Sequence, residues 1–220
     1  MDTLLENREL VTLRGSSVSE QDNRSYVITS KQTGAQVLVD AADNIDQIKA
    51  LLASAQDDSP EPLNLVMIAT THQHWDHVRA LRELAEDTGA TTSAGAADLE
   101  AIEKESGLRP AHALEHDDVG NFPGFDLRAI HLRGHTPGSI AFVYEDPSGS
   151  PIILSGDSLF PGGVGNTWED PERFTSLFND VRERLFDRYP DDSAVYPGHG
   201  NSTTLGAERP HLDEWRERGW

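Results

Sequence analysis

The chain has 220 residues and a formal net charge of −20, with 38 acidic against 18 basic residues. This length suits one domain with a core large enough to be stable alone, so we expect a single domain over residues 1–220. An acidic surface repels phosphates, which argues against a nucleic-acid partner. The chain has no cysteine, which excludes disulfides, thiol catalysis and metal clusters held by thiolates.

Hydropathy gives no sign of a membrane protein. The longest apolar runs, such as residues 63–69, are too short to cross a bilayer. The first residues lack the basic and apolar regions of a secretory signal. We therefore expect a cytoplasmic protein without a membrane partner, and the oligomeric state stays open.

The first third of the chain predicts strands followed by one helix. Runs rich in β-branched and apolar residues predict strands at 10–13, 25–29 and 36–40, the last of which ends in Asp40. Asp40 is either a cap for the next helix or a site residue at the carboxyl edge of a sheet, and the pattern leaves both open. Apolar residues at helical spacing then predict a helix around 45–52.

The rest of the chain continues the alternation of strands and helices. The apolar run at 63–70 predicts a strand buried on both faces. Leu81 and Leu84 belong to a helical stripe that should end at Gly89. Further on, we predict a strand at 91–94, a helix at 97–105, a loop at 117–125 and a strand at 127–132. The pattern as a whole predicts an α/β fold.

A dense cluster of metal-ligand side chains follows the apolar run at 63–70. Residues two apart in an extended segment face the same side, so His72, His74 and Asp76 can converge, and a following turn can bring in His77. Imidazole nitrogens with carboxylate oxygens form a ligand set suited to zinc, iron or manganese. The segment is therefore typical of a metal site.

Three later segments each place a ligand-type side chain just past a strand. They carry His135, Asp157 and His199, the last hemmed by glycines. Loops that follow strands gather at one edge of a sheet, so these side chains can join the first cluster. Three other histidines, His112, His116 and His211, fit no ligand pattern and are expected to be ordinary polar residues.

These motifs, in this order from Asp40 to His199, resemble the metallo-β-lactamase-fold hydrolase superfamily, and most closely its glyoxalase II-like branch. The resemblance implies a four-layer αβ/βα sandwich, with two mixed β-sheets face to face and helices on the outer faces. It also implies two divalent metal ions per chain, zinc first, with iron or manganese as alternatives. The implied roles are His72, His74 and His135 on the first ion, Asp76, His77 and His199 on the second, Asp157 as the bridge, and Asp40 as a residue that orients the cluster without binding metal.

The implied function is hydrolysis of a small-molecule acyl substrate. A hydroxide that bridges the two metal ions would attack a thioester, a lactone or another small acyl ester. Asp76, besides binding metal, would be a catalytic residue that takes the proton as the tetrahedral intermediate collapses. Acyl-homoserine lactonases share all seven ligands and fit the same pattern.

Several positions depart from glyoxalase II proper. That family continues into a C-terminal helical domain that helps bind glutathione, whereas 21 residues follow His199 here. Its lysine and tyrosine that contact the thiol carrier correspond to Asn166 and Trp168, and a further tyrosine to Asn201. We therefore expect lactoylglutathione to be a poor substrate. Arg133 replaces the usual proline before His135, and would either meet an anionic substrate or pair with a nearby acid.

Two other functions stay open. In the persulfide dioxygenases of this superfamily, the positions of His72, His135 and Asp157 hold a single iron. A non-catalytic metal-binding or scaffold protein is the second alternative. The branch that hydrolyses β-lactams fits worse, because its members use a cysteine ligand or lack a bridging aspartate. Candidate walls of the pocket, with core packing as the alternative for each, are Trp75, Phe160, Trp168 and Phe174.

Overall fold

The computed structural model describes residues 3–219, and a seven-stranded mixed sheet forms its N-terminal half. The strands lie in chain order across this sheet. The first four pair antiparallel, and the pairs from β4 to β7 are parallel. These strands are β1 (Thr3–Asn7), β2 (Val11–Ser17), β3 (Arg24–Ser30), β4 (Ala35–Val39), β5 (Asn64–Thr70), β6 (Thr91–Gly95) and β7 (His112–Leu114).

A six-stranded mixed sheet follows, with a two-stranded hairpin beside it. Its order is β15-β14-β11-β10-β9-β8, in which the pair β11 and β14 is parallel and the other pairs are antiparallel. The strands are β8 (Val119–Phe122), β9 (Phe125–His131), β10 (Ile140–Tyr144), β11 (Ile152–Gly156), the hairpin strands β12 (Leu159–Phe160) and β13 (Gly163–Val164), β14 (Ala194–Pro197) and β15 (Thr203–Thr204).

In the described residues 3–219, six α-helices lie outside the two sheets. Side chains of the first three pack on the outer face of the first sheet, and those of α4 and α6 pack on the second. Among the described residues, no helix is long and apolar enough to cross a membrane. The helices are α1 (Ile45–Ala53), α2 (Leu81–Thr88), α3 (Leu99–Ser106), α4 (Pro171–Val181), α5 (Leu205–Glu208) and α6 (Leu212–Arg218).

The core of the molecule lies between the two sheets. Successive side chains of a strand point to opposite faces, so Val37 and Val39 of β4 enter this central layer, whereas Leu38 packs under the helices. On the facing sheet, Phe142 and Leu154 fill the same layer. The result is the four-layer αβ/βα sandwich of two mixed sheets, which confirms the expected fold class.

Most of the predicted elements form, with one clear error. The region predicted as a loop at 117–125 contains strand β8, which pairs with β9 through a tight turn. Glycine and asparagine inside β8 suggest a loop in sequence, but pairing of Gly120 with Leu127 and of Phe122 with Phe125 supplies the stabilisation that propensity lacks. Gly124, with φ of 95°, makes the turn between the two strands.

The strand ends deliver the candidate ligands to one edge of the sandwich. Asp40 follows β4, and the cluster that begins at His72 follows β5. In the second sheet, Asp157 follows β11, and His199 follows its parallel neighbour β14. Because these carboxyl ends meet at the same edge, residues far apart in the chain come together there.

Candidate metal centre

Three imidazoles converge into a first set of donor atoms. His74 Nδ1 lies 3.0 Å from His72 Nε2 and 3.0 Å from His135 Nε2. Nitrogens bound to one tetrahedral zinc ion at about 2.0–2.1 Å stand roughly 3.3 Å apart, so this spacing suits a single ion. His72 and His74 belong to the loop after β5, and His135 to the loop between β9 and β10. The structure therefore brings together the three residues expected on the first ion.

A second set lies beside the first and contains Asp76, His77 and His199. Asp76 and His77 sit in a short 3₁₀ turn (Trp75–His77), which swings His77 behind the extended segment as the spacing predicts. His77 Nε2 lies 3.2 Å from His199 Nε2, and Asp76 Oδ2 lies 3.5 Å from His199 Nε2. These atoms are close enough to share one ion.

Asp157 stands between the two sets. Its Oδ1 lies 3.5 Å from His77 Nε2, and its Oδ2 lies 3.6 Å from both His135 Nε2 and His199 Nε2. Oδ1 is buried and has no hydrogen-bond partner among the described residues. A buried carboxylate oxygen without a partner is costly unless a cation binds it, so the residues present fit a metal site.

The nitrogen that faces away from the donor set is hydrogen-bonded in four of the five rings. Such outer bonds fix the ring orientation and leave the other nitrogen free to bind metal. His135 Nδ1 donates to the carbonyl oxygen of Asn166 at 2.9 Å, and His199 Nδ1 to that of Gln21 at 3.0 Å. The other two are His72 Nδ1, which lies 3.0 Å from Thr71 Oγ1, and His77 Nδ1, which lies 2.8 Å from Asp40 Oδ2.

Asp40 orients the cluster and does not cap a helix. Its carboxylate accepts hydrogen bonds from Thr71 N at 2.7 Å, Thr71 Oγ1 at 2.8 Å and His77 Nδ1. Asn44, and not Asp40, caps α1. Asp40 has φ of 61°, a left-handed conformation uncommon for a residue other than glycine, as often found at functional sites. This geometry agrees with the role that the resemblance implies.

The protonation states of the two sets differ in the metal-free protein. Burial holds the pKa of His72 well below its ordinary value and lowers the pKa of His135 to about 3. The hydrogen bond to Asp76 raises the pKa of His199 to about 9. Burial would by itself raise the pKa of Asp76, but hydrogen bonds from His199 and Asn23 outweigh it and lower that pKa. The first set is thus neutral, whereas the second must release a proton to bind metal.

Sequence reasoning missed a buried residue that supports the second set. Asn23 is fully buried in the loop before β3, and its Nδ2 donates to Asp76 Oδ2 at 2.9 Å. The same amide nitrogen lies 3.3 Å from His199 Nε2. A lone asparagine in a polar loop carries no sequence signal for such a contact, since it depends on how the loop folds over the site.

The segment after Asp157 forms a backbone wall beside the metal centre. A Cβ placed on Gly165 would lie 1.7 Å from the Asp157 carbonyl oxygen, so only glycine fits this approach. The next residue, Asn166, accepts the His135 hydrogen bond through its carbonyl, as noted above. Trp168 then covers the site: its ring stacks on His135 with centroids 5.3 Å apart, and it is 48% exposed.

The remaining candidates lie elsewhere or play structural roles. Arg133 pairs with the buried carboxylate of Asp180 through two hydrogen bonds of 2.8 and 2.7 Å, so it is the acid-paired arginine of the two alternatives. Phe174 is a core residue that stacks on Phe178. Trp75, 46% exposed, packs against the guanidinium of Arg79. None of the three unassigned histidines, His112, His116 and His211, joins a metal-fitting cluster of the described residues.

The four-layer sandwich with two His/Asp clusters at one sheet edge defines a metal-binding protein of the αβ/βα class. Comparison with known proteins gives the family: the model of the metallo-beta-lactamase superfamily matches residues 20–199, and the chain belongs to that superfamily. Hydroxyacylglutathione hydrolase GloC of Haemophilus influenzae is 30% identical over 161 residues, which cover 67% of this chain and 74% of that relative.

Solved structures agree with this assignment. ETHE1 from Myxococcus xanthus has a TM-score of 0.74 at 25% identity, over 93% of this chain and 84% of the other. The structure of TTHA1623 in a di-iron-bound form has a TM-score of 0.69 at 29% identity, over 89% of this chain and 96% of the other. The chain is accordingly a metallo-hydrolase with glyoxalase II-like relatives.

Proposed function

We propose that this metallo-hydrolase binds two divalent ions and hydrolyses a thioester, a lactone or another small acyl ester. The position of Asp157 carries the proposal, because its carboxylate lies between the two donor sets: Oδ2 is 3.6 Å from both His135 Nε2 and His199 Nε2, and Oδ1 is 3.5 Å from His77 Nε2. A shared carboxylate offsets the repulsion between two nearby cations. The di-iron-bound form of TTHA1623 supports two ions per chain. We place zinc first, with iron or manganese as alternatives.

Divalent ions held by the two sets would bring the pKa of a bound water close to neutral and polarise an acyl carbonyl, so hydrolysis would need no nucleophilic side chain. The chain's own residues hold and orient the centre. Asp76 is fixed by Asn23 and stays ionised at neutral pH. We propose that Asp76 is a ligand of the second ion and also takes the proton as the tetrahedral intermediate collapses.

Two arginines lie against the exposed tryptophans beside the site, and both have other partners among the described residues. Arg173 lies over Trp168 and donates to the carbonyl oxygens of Gly134 and His135. Arg79 is paired with Asp43 at 2.9 Å. Because both guanidinium groups already have partners, and the chain is strongly acidic, we propose that a small neutral acyl compound is preferred to one on a polyanionic carrier.

The side chains beside the site make glutathione thioesters poor candidates for the substrate. Asn166 Oδ1 accepts a hydrogen bond from Trp168 N at 2.8 Å, so this side chain folds back onto its own loop. The name of the Haemophilus influenzae relative, hydroxyacylglutathione hydrolase, instead suggests a glutathione thioester as substrate. Steady-state kinetics with lactoylglutathione distinguish the two possibilities. We expect the kcat/KM for lactoylglutathione to fall below about 10⁴ M⁻¹s⁻¹. A value at or above that level would place the protein with glyoxalase II proper.

Metal content and oxygen uptake together test the proposal. Protein purified without added metal should carry close to two ions per chain, and acyl hydrolysis should need no oxygen and stop when a chelator removes the metal. One iron per chain with oxygen uptake on a persulfide substrate would instead establish the dioxygenase. Protein that binds no metal and stays inactive after reconstitution would be the scaffold.

A further inference from the structure

Asp98 is a buried carboxylate outside the two donor sets. It is fully buried and occupies the N-cap position of α3. An aspartate at this position ordinarily accepts hydrogen bonds from the first backbone N–H groups of its helix. In the described part of the chain, the Asp98 side chain makes no such capping bond. The carboxylate therefore serves something other than the helix.

Its hydrogen bonds go to the two loops that carry the first donor set. Asp98 Oδ2 accepts from Gln73 N at 3.0 Å and from Thr136 Oγ1 at 2.6 Å, and Oδ1 accepts from Gly138 N at 2.7 Å. Gln73 lies between His72 and His74, and Thr136 follows His135. All three partners act as donors, and a carboxylate is the side chain that accepts from all of them.

The two loops are also locked by close backbone packing around Asp98. A Cβ on Gly138 would lie 2.6 Å from Asp98 N, and a Cβ on Gly95 would lie 1.9 Å from the Gly138 carbonyl oxygen. No larger residue fits at either glycine without moving one loop. The loop that carries His135 thus rests directly on the turn that presents the Asp98 carboxylate.

The second donor set has different supports. Asn23 holds Asp76, and Asp40 holds His77. These contacts involve neither Asp98 nor its three partners. Asp40 also bonds Thr71, whose Oγ1 lies 3.0 Å from His72 Nδ1. In the described part of the chain, Asp98 bonds no residue of the second set, so a change at Asp98 should reach the first set before the second.

We propose that Asp98 is a positioning residue that fixes the loop of His72 and His74 against the loop of His135, and so sets the metal affinity of the first donor set alone. This inference rests on the proposed two-metal site. It needs no particular substrate, and metal binding tests it independently of hydrolysis.

The test measures cobalt(II) binding to metal-free protein in two backgrounds. His199→Ala leaves the first set intact, and His135→Ala leaves the second. Adding Asp98→Ala or Asp98→Asn should weaken cobalt binding about 10–100-fold in the His199→Ala background and change the visible cobalt spectrum. In the His135→Ala background, the change should be less than about threefold, since the other set does not touch Asp98.

A matched control separates positioning from general loss of stability. Asp58 is also a largely buried carboxylate with three hydrogen bonds, but all of them go to Thr12 and Arg14 of β2. Asp58→Ala should lower the melting temperature and leave cobalt affinity unchanged in both backgrounds. Thr136→Val, which removes one of the three Asp98 bonds, is a milder variant should the Asp98 variants fail to fold, and should weaken only the first set.

Three results would overturn the inference. One is unchanged first-set affinity in the Asp98 or Thr136 variants, and another is an equal loss in both backgrounds, which would make Asp98 merely structural. The third is a His199→Ala protein that binds no cobalt, because no independent first set would then exist. If acyl hydrolysis fails but the selective loss of cobalt is seen, the positioning role stands and the proposed substrate class falls.

Discussion

Replacing Asp157 with alanine should change the stability of the protein in opposite directions with and without metal. In the metal-free protein, Oδ1 of this carboxylate is buried and unpartnered among the described residues. Burial raises the pKa of Asp157 against the opposing charges of His77 and His199, so ionisation of this carboxyl costs the metal-free protein stability. In the proposed two-metal site, the same carboxylate would bridge the two cations.

The magnitude follows from the unpartnered oxygen. A buried polar group without a partner costs about 1–3 kcal/mol, and the Asp157→Ala substitution also leaves a small cavity, so we expect a net gain of about 1 kcal/mol in the metal-free protein. For a chain of this size, that gain raises the melting temperature by about 2–4 °C. A hundredfold loss of metal affinity removes about 2.7 kcal/mol of ligand stabilisation, so the metal-loaded variant should melt below its parent.

The sign of the pH dependence checks the cause. Because the pKa of Asp157 is raised in the folded state, its ionisation destabilises the metal-free protein as pH rises through that raised value. The advantage of Asp157→Ala should therefore be present at pH 7 and shrink near pH 4, where the unfolded carboxyl is already about half protonated and the folded one more so.

Thermal unfolding at both pH values, with and without chelator, measures these changes, and elemental analysis reports the metal. His116→Ala is the control, because this partly exposed side chain pairs with Asp117 at 3.6 Å and joins no metal-fitting cluster of the described residues. It should alter neither metal content nor activity. An Asp157→Ala protein that keeps full metal occupancy and hydrolytic rate would refute the bridging role.

Three further outcomes are expected. Arg133→Ala removes one of two arginine partners of buried Asp180, the other being Arg184 at 3.3 Å, so the protein should lose about 1–3 kcal/mol of stability while KM for an acyl substrate stays the same. A large rise in KM would show substrate contact. His199 has a pKa of about 9 in the metal-free protein, raised by Asp76, so metal affinity of the second set should rise with pH up to about 9, and calorimetry at pH 7 in different buffers should detect proton release. Trp168→Ala should raise KM several-fold and change kcat less in steady-state kinetics, because the ring is expected to contact the substrate equally in the ground state and the transition state. A loss of kcat with unchanged KM would contradict this role.

The sequence by itself determined the chemistry of the centre. The ligand types are set by residue identity, and the spacing of His72, His74 and Asp76 is local enough to imply convergence before any tertiary contact is known. The strands that end at the ligands were also readable, because apolar runs and their terminal residues are local signals. The order of the motifs resembled one family, and that resemblance predicted the fold. The match of the family model over residues 20–199 confirms the family.

The sequence pattern alone did not distinguish aromatic residues of the pocket wall from those of the core. Trp168 and Phe174 were equal candidates for a pocket wall, yet the first covers His135 and the second belongs to the core. Strand β8 was missed because glycine and asparagine favour loops, and only its pairing with β9 makes it a strand. In each case the deciding contact is with a distant element, which local propensity does not describe.

Only the tertiary structure decided which side chains support the ligands. Asn23 reaches Asp76 across 53 positions of sequence, and Asp98 reaches Thr136 across 38. Whether Arg133 meets a substrate or an acid depends on α4, which brings Asp180 beneath it. A ligand is recognisable because its own chemistry binds metal, whereas a supporting residue has ordinary chemistry and gains its role from where the packing of two sheets and their loops places it.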